Sequence, residues 1–253
     1  MIKLYSFGEH FGVHDPSPFV LKTDLYLRML NLPFESIADA DNLRMAPKGK
    51  LPFIEDEGAL IADSTFIIAY IKEKYGQSLD DHLSAEQRGI SQLVTKSLDE
   101  DVYWCLVYSR WMREDTWPSV SDSFFGNMPF PLKQLVPFVA RKGVRSALEK
   151  QGLGKHSHEE ILTIAKNTLG SLDAMLGQKR YFFGDKPSIL DAAAFGFLTQ
   201  LTLCQLNNPL NEVARSYTNL VAFCERIHEE YYLDPSRQAE QGAVEPAANA
   251  VSS

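Results

Sequence analysis

Ser17 and Pro18 stand where a strand-like run gives way to a helix-like one, and the chemistry open to them is stabilisation of an anion. Serine at the N-cap with proline at the first helical position is a common helix start. The same geometry sets a hydroxyl beside the positive end of a helix dipole, where it can hydrogen-bond a thiolate. A free thiol titrates near 8.5, and lowering that by one unit takes about 1.4 kcal/mol. One charge-assisted hydrogen bond plus a helix terminus is of that size. Leu51-Pro52 is a second such place. It reads as the first residues of a strand, or as a cis-proline that turns the Leu51 backbone towards a ligand. Asp63-Ser64 is a third: an N-cap, or a hydroxyl and helix amides that hold a carboxylate.

The remaining chemistry-bearing residues say less. Trp104, Trp111 and Trp117 fall within fourteen residues, with Tyr103 and Tyr108 among them. They suit either core packing of a long helix or an apolar substrate wall. His10 and His14 lie near Asp15, and His156 and His158 flank a helix cap, but none has a partner at a ligand spacing, so no metal site is expected. His14, Asp15 and Ser17 lack the Gly-x-Ser-x-Gly elbow that would present a serine nucleophile.

The elements that must position these residues follow from periodicity. Residues 2–7 read as a strand, 19–30 as a helix, 34–38 as a strand, 51–55 and 59–62 as a hairpin, and 64–75 as a helix stopped by Gly76. With a short helix before the hairpin, this is the β-α-β-α-β-β-α order of a thioredoxin-like domain, residues 1–76. The rest reads as all-helical over 84–232. Ser84 with Gln87 opens a long helix whose buried stripe is Ile90, Leu93, Val94, Leu98, Val102 and Leu106. Residues 114–139 break the helical pattern at Pro118, Pro129, Pro131 and Pro137 and begin an insertion over 114–156. Ser157 with Glu160 and Ser188 with Asp191 open two further helices, and 219–232 reads as another. The tail, 233–253, has almost no bulky apolar residue and is expected to be disordered. The fold class is therefore α+β.

Composition bounds the function. The 253 residues carry a net charge of −8, which argues against nucleic acid as the main partner. Three cysteines, at 105, 204 and 224, cannot all pair and form no CxxC, so a reducing, cytoplasmic setting is expected. Cys105 is placed near the cleft and the other two in the core. No stretch reads as a signal peptide or a membrane anchor.

The segment from Lys50-Leu51-Pro52-Phe53 through Asp63-Ser64-Thr65 to Ile71 resembles the glutathione-site segment of the glutathione transferase superfamily. Gly184-Asp185-Lys186-Pro187-Ser188-Ile189-Leu190-Asp191 resembles that superfamily's helical capping-box segment, and the resemblance covers 1 to about 232. Ser17-Pro18-Phe19-Val20-Leu21-Lys22, Arg110-Trp111 and Gly152-Leu153-Gly154-Lys155-His156 are similar to its failed-axon-connections and metaxin-like branch. The resemblance implies a thioredoxin-like domain followed by an all-α transferase C-terminal domain, with glutathione as cosubstrate. It implies that Ser17 hydrogen-bonds the glutathione thiolate, with Tyr5 in the strand as the rival hydroxyl. Leu51 and Pro52 would receive the cysteinyl backbone, Asp63 and Ser64 the γ-glutamyl end, and Lys50 the glycyl carboxylate. Tyr103, Trp104 and Trp111 would line the pocket of a small, electrophilic, apolar substrate. Nine residues, Gly8 to Pro16, separate the first strand from Ser17, more than in serine-type transferases. Val20 occupies the second cysteine position of a CPxC motif and Ser17 the first, so dithiol exchange is not available. The insertion would lie over the cleft, with Phe124, Phe125, Phe130 and Phe138 closing it or forming a partner surface. A homodimer is implied by the family alone, and the alternative function is a non-catalytic, metaxin-like interaction module.

Overall fold

The computed structural model describes residues 1–39 and 41–233. Its first part is a four-stranded mixed sheet with helices. The strands β1 (Ile2–Ser6), β2 (Phe34–Ala38), β3 (Phe53–Asp56) and β4 (Ala59–Ala62) lie in the order β2-β1-β3-β4. β1 pairs β2 in parallel, and β3 pairs β1 and β4 antiparallel. The parallel pair needs a crossover, supplied by α1 (Pro18–Met29). The antiparallel hairpin needs only Glu57-Gly58, both at positive φ. After α2 (Asn42–Met45) and the hairpin, α3 (Ser64–Tyr75) closes on Gly76, whose φ of 66° makes the left-handed cap.

All-helical structure follows: α4 (Ala85–Ser97), α5 (Tyr103–Trp111), α6 (Trp117–Phe125), α7 (Leu132–Gln151), α8 (His158–Leu176), α9 (Ile189–Thr202), α10 (Pro209–Arg215) and α11 (Thr218–His228). A π-helical turn, Leu98–Val102, joins α4 to α5, and another, Glu229–Leu233, ends the described chain. The fold is thus α+β, a thioredoxin-like sheet followed by a helical half. The two are joined chiefly where α1 packs on α9, which is buried from Leu190 to Thr202. That approach requires glycine at 196: a Cβ there would stand 2.4 Å from the Pro18 carbonyl oxygen and 2.9 Å from the Lys22 nitrogen. Among the described residues no helix is long and apolar enough to cross a membrane.

Three expectations are corrected. Ile90 and Leu93 do not belong to a buried stripe; they are 38% and 73% exposed, and α4 turns Ser91 and Thr95 inward instead. The π-helical turn then shifts the phase, so that Leu98, Val102 and also Asp99 face the interior. Residues 114–139 are mostly helical, because Pro118 sits in the first turn of α6, where no amide bond is lost. Pro137 lies inside α7, near its start. α10 was not anticipated, although Asn208 as N-cap and Pro209 at the first position carry its signal. Cys105 is a core residue: it is fully buried, and burial pushes its thiol up to about 12. The expected disordered tail lies, beyond Leu233, outside the described residues.

Candidate functional site

Ser17 is delivered by the loop between β1 and α1. That loop folds on itself through reciprocal His10 and Val13 backbone hydrogen bonds, and Phe11 O accepts from Gln205 N beyond the end of α9. Asp15 returns the chain to the sheet. Its carboxylate accepts from Phe7 N at 2.8 Å, Gly8 N at 3.1 Å and Ser17 N at 2.8 Å. The long excursion after β1 therefore ends with Ser17 pinned to the strand it left. Burial pushes the Asp15 carboxyl up to about 7, against the lowering effect of those three amides. From the helical half, Gln200 Nε2 donates to Asp15 O at 2.7 Å and Arg110 Nη1 donates to Pro16 O at 2.7 Å. Ser17 Oγ accepts from Val20 N at 3.4 Å, a long N-cap bond. Its O–H has no acceptor among the described residues.

The wall opposite is built from the hairpin and α3. The Leu51–Pro52 peptide is cis, and the Pro52 carbonyl accepts from Asp63 N at 3.2 Å. Leu51 itself lies ahead of β3, outside the paired register. Its backbone N–H and C=O have no hydrogen-bond partner among the described residues, although the residue is buried. A backbone N–H and C=O left unpaired at the edge of a cleft suit an extended peptide-like ligand. Asp63, at a φ of 83°, caps α3 by accepting from Thr65 N at 2.9 Å, and Ser64 is buried in its first turn.

These groups converge on one cleft of about 570 Å³ between the sheet and α5. Ser17, Lys50, Leu51, Pro52, Asp63 and Ser64 line one side, and Tyr103, Trp104 and Trp111 the other. Phe124 of the insertion reaches the rim, and Phe125 packs edge-on against Trp111, while Phe130 and Phe138 face outward at 81% and 70% exposure. Tyr5 is not part of the lining. Its ring stacks on Phe53 at 4.1 Å and its hydroxyl donates to Glu55 Oε2 at 2.8 Å, which with burial raises its pKa. His14, Asp15 and Ser17 form no triad, since His14 stacks on Tyr232 and Asp15 serves backbone amides.

Several lining residues went unread in the sequence. Asp99, on the π-helical turn, pairs with the buried Lys22 of α1 at 3.4 Å and with Lys96 at 3.4 Å. The unpaired cost of two buried ions explains why both ends are present. Lys48 lies 4.3 Å from the Phe66 ring centre at the cleft edge. Arg110 lies with Tyr103, Val107 and Trp111 on one face of α5, a 3.6-residue spacing that the sequence did carry.

Two family models match the chain: the glutathione S-transferase N-terminal domain over residues 18–116 and the C-terminal domain over 165–227. Human metaxin-2 is 30% identical over 216 residues, covering 85% of this chain and 82% of that protein. The chain belongs to the glutathione transferase superfamily. Within it, the chain is also similar to Failed axon connections of Drosophila melanogaster, 32% identical over 249 residues, 92% of this chain but 59% of that longer protein. The isoprene-epoxide–glutathione S-transferase of Rhodococcus sp. strain AD45 is 28% identical over 242 residues, 91% of this chain and 99% of that one. The superfamily fold recurs in the crystal structure of a beta-etherase from Sphingobium sp. strain SYK-6, with a TM-score of 0.62 at 20% identity over 96% of this chain and 99% of that one.

Proposed function

We propose that this transferase-superfamily chain binds glutathione and uses its sulfur to attack a small, apolar electrophile. The reading is carried by one observation: a single cleft holds the Ser17 hydroxyl, the unsatisfied Leu51 backbone and the start of α3 on one side, and an aromatic wall on the other. Leu51 offers an N–H and a C=O that match an extended peptide backbone. Ser64, Asp63 and the first-turn amides of α3 offer both signs of charge to an amino-acid end that is itself zwitterionic. Lys50 meets the far carboxylate. When bound, glutathione supplies the nucleophilic thiolate. Ser17 donates its free O–H to the sulfur, and the N-terminus of α1 adds its dipole to the same anion. Tyr103, Trp104 and Trp111 exclude water and hold the apolar partner. Full-length similarity to a glutathione S-transferase that acts on isoprene epoxide supports the enzyme reading. The three thiols are free and buried, which suits a reducing compartment such as the cytoplasm.

The test is retention on immobilised glutathione, then conjugation kinetics with a broad aromatic electrophile. Loss of one charge-assisted hydrogen bond in Ser17→Ala should lower kcat/KM by roughly 10- to 100-fold, with glutathione still bound. An undiminished rate removes Ser17 from the mechanism. A second reading, an interaction module on the same fold, is favoured by the similarity to metaxin-2 and by the outward apolar side chains of the insertion. Titration calorimetry that finds no heat with millimolar glutathione would decide for it.

A further inference from the structure

A second cavity, of about 360 Å³, opens between the β1–α1 loop, α9 and α11, and shares no lining residue with the cleft. His14 and His228 meet at its mouth, 214 positions apart in the chain. Their Nε2 atoms are 3.3 Å apart and their ring centres 5.3 Å apart. Two imidazoles that share one tetrahedral zinc at about 2.0–2.1 Å stand about 3.3–3.4 Å apart at nitrogen and roughly 5.2 Å at ring centre. We propose that His14 and His228 form a binding site for a divalent d-block cation of the zinc type.

Both rings are held for this. Tyr232 stacks on His14 at 4.5 Å and on His228 at 5.7 Å. The charged groups around His14 are the carboxylates of Asp24 and Glu9 and the Arg28 guanidinium. Glu225 and Glu229 line the same cavity. Among the described residues no group of three or more His, Cys, Asp or Glu side chains is assembled as a ligand set. The site is therefore an open one, with two imidazoles and the remaining positions left to water. Imidazole selects zinc, nickel or copper over magnesium or calcium. A bound ion would tie the β1–α1 loop to α11, one residue before the Asp15 that holds the Ser17 amide. Without an ion, the contact is a hydrogen bond between the two rings, one donating.

The proposal does not depend on glutathione binding. Its test is calorimetric titration of Zn²⁺ into the tag-free full chain at neutral pH, with His14→Ala, His228→Ala and His156→Ala alongside. One ion per chain with micromolar affinity is expected, weakened at least about tenfold in the first two variants and unchanged in the third. Magnesium should not bind. Both histidines are partly exposed, so melting curves should show the variants folded. Absence of zinc binding by the parent chain, or binding by His14→Ala and His228→Ala as tight as the parent's, overturns the proposal.

Discussion

Asp15 shows how one side chain can decide whether a catalytic-type hydroxyl is usable. The nine-residue excursion after β1 should leave Ser17 adrift, yet three backbone amides on one carboxylate bring it back to the strand end. The arrangement has a consequence for stability. The folded pKa, about 7, lies above the unfolded value of about 3.9. The folded state therefore holds a proton that the unfolded chain has already released. This contribution is fully present below about pH 4 and is lost as pH rises towards 7, a loss on the order of a few kcal/mol. Asp191, pushed up to about 6 by burial, acts the same way over a lower window. Urea denaturation from pH 5 to 7 should show this loss as the difference between the parent chain and Asp15→Asn. Asp15→Asn should be less stable at pH 5, since one amide oxygen cannot serve all three amides, and should lose less between pH 6 and 7. An unchanged slope would show that Asp15 is ionised throughout. Nothing in the local sequence signalled this role: Asp15 stood out only as a neighbour of His14 and Ser17. By contrast, Ser17, Asp63 and Ser64 were readable because capping is a matter of two or three consecutive residues.

Helices differ in how well their limits can be read, and the capping boxes show why. Ser84 with Gln87 and Ser157 with Glu160 form reciprocal boxes, while at Ser188 only the return bond, from Ser188 N to the Asp191 carboxylate, is made. Their energetics should differ. The Ser157 box is exposed, and Ser157→Ala should cost about 1 kcal/mol. Asp191 is fully buried and accepts from Phe182 N at 2.8 Å, Ser188 N at 2.8 Å and Ser188 Oγ at 2.6 Å. Asp191→Ala leaves three buried donors unsatisfied and should cost roughly 3 kcal/mol or more by denaturant titration. Equal losses in the two variants would mean that water reaches the Ser188 box. The insertion was less legible, because proline was read as a breaker where Pro118 starts a helix and Pro137 is carried inside one. The phase of the α4–α5 helix was misread for a different reason. A π-helical turn adds a residue to the repeat, and no 3.6-residue pattern announces it.

At the scale of the molecule, what joins the two halves is long-range and was not readable. Lys22 with Asp99, and Arg110 with Pro16, connect residues 77 and 94 positions apart. The corrected phase of α4 also changes what the surface offers. Ile90 and Leu93 on α4 join Phe66 on α3 as exposed apolar side chains, and both helices border the same cleft through Thr65 and Lys96. Exposed leucine and phenylalanine on two helices that border one cleft mark a surface that gains by being covered. The partner that superfamily membership suggests is a second copy, which would bring two clefts to either side of one contact. The expected result by size-exclusion chromatography with light scattering is a mass near twice 28.5 kDa. Leu93→Glu would place two like charges at or near the contact and should shift the chain to monomer while leaving its melting temperature within about 2–4 °C, since a solvent-facing substitution disturbs no core. The same charge on α7, Phe138→Glu, should leave the mass unchanged. A parent chain that is monomeric at micromolar concentration, or a Leu93→Glu variant that remains a dimer, rules out this face.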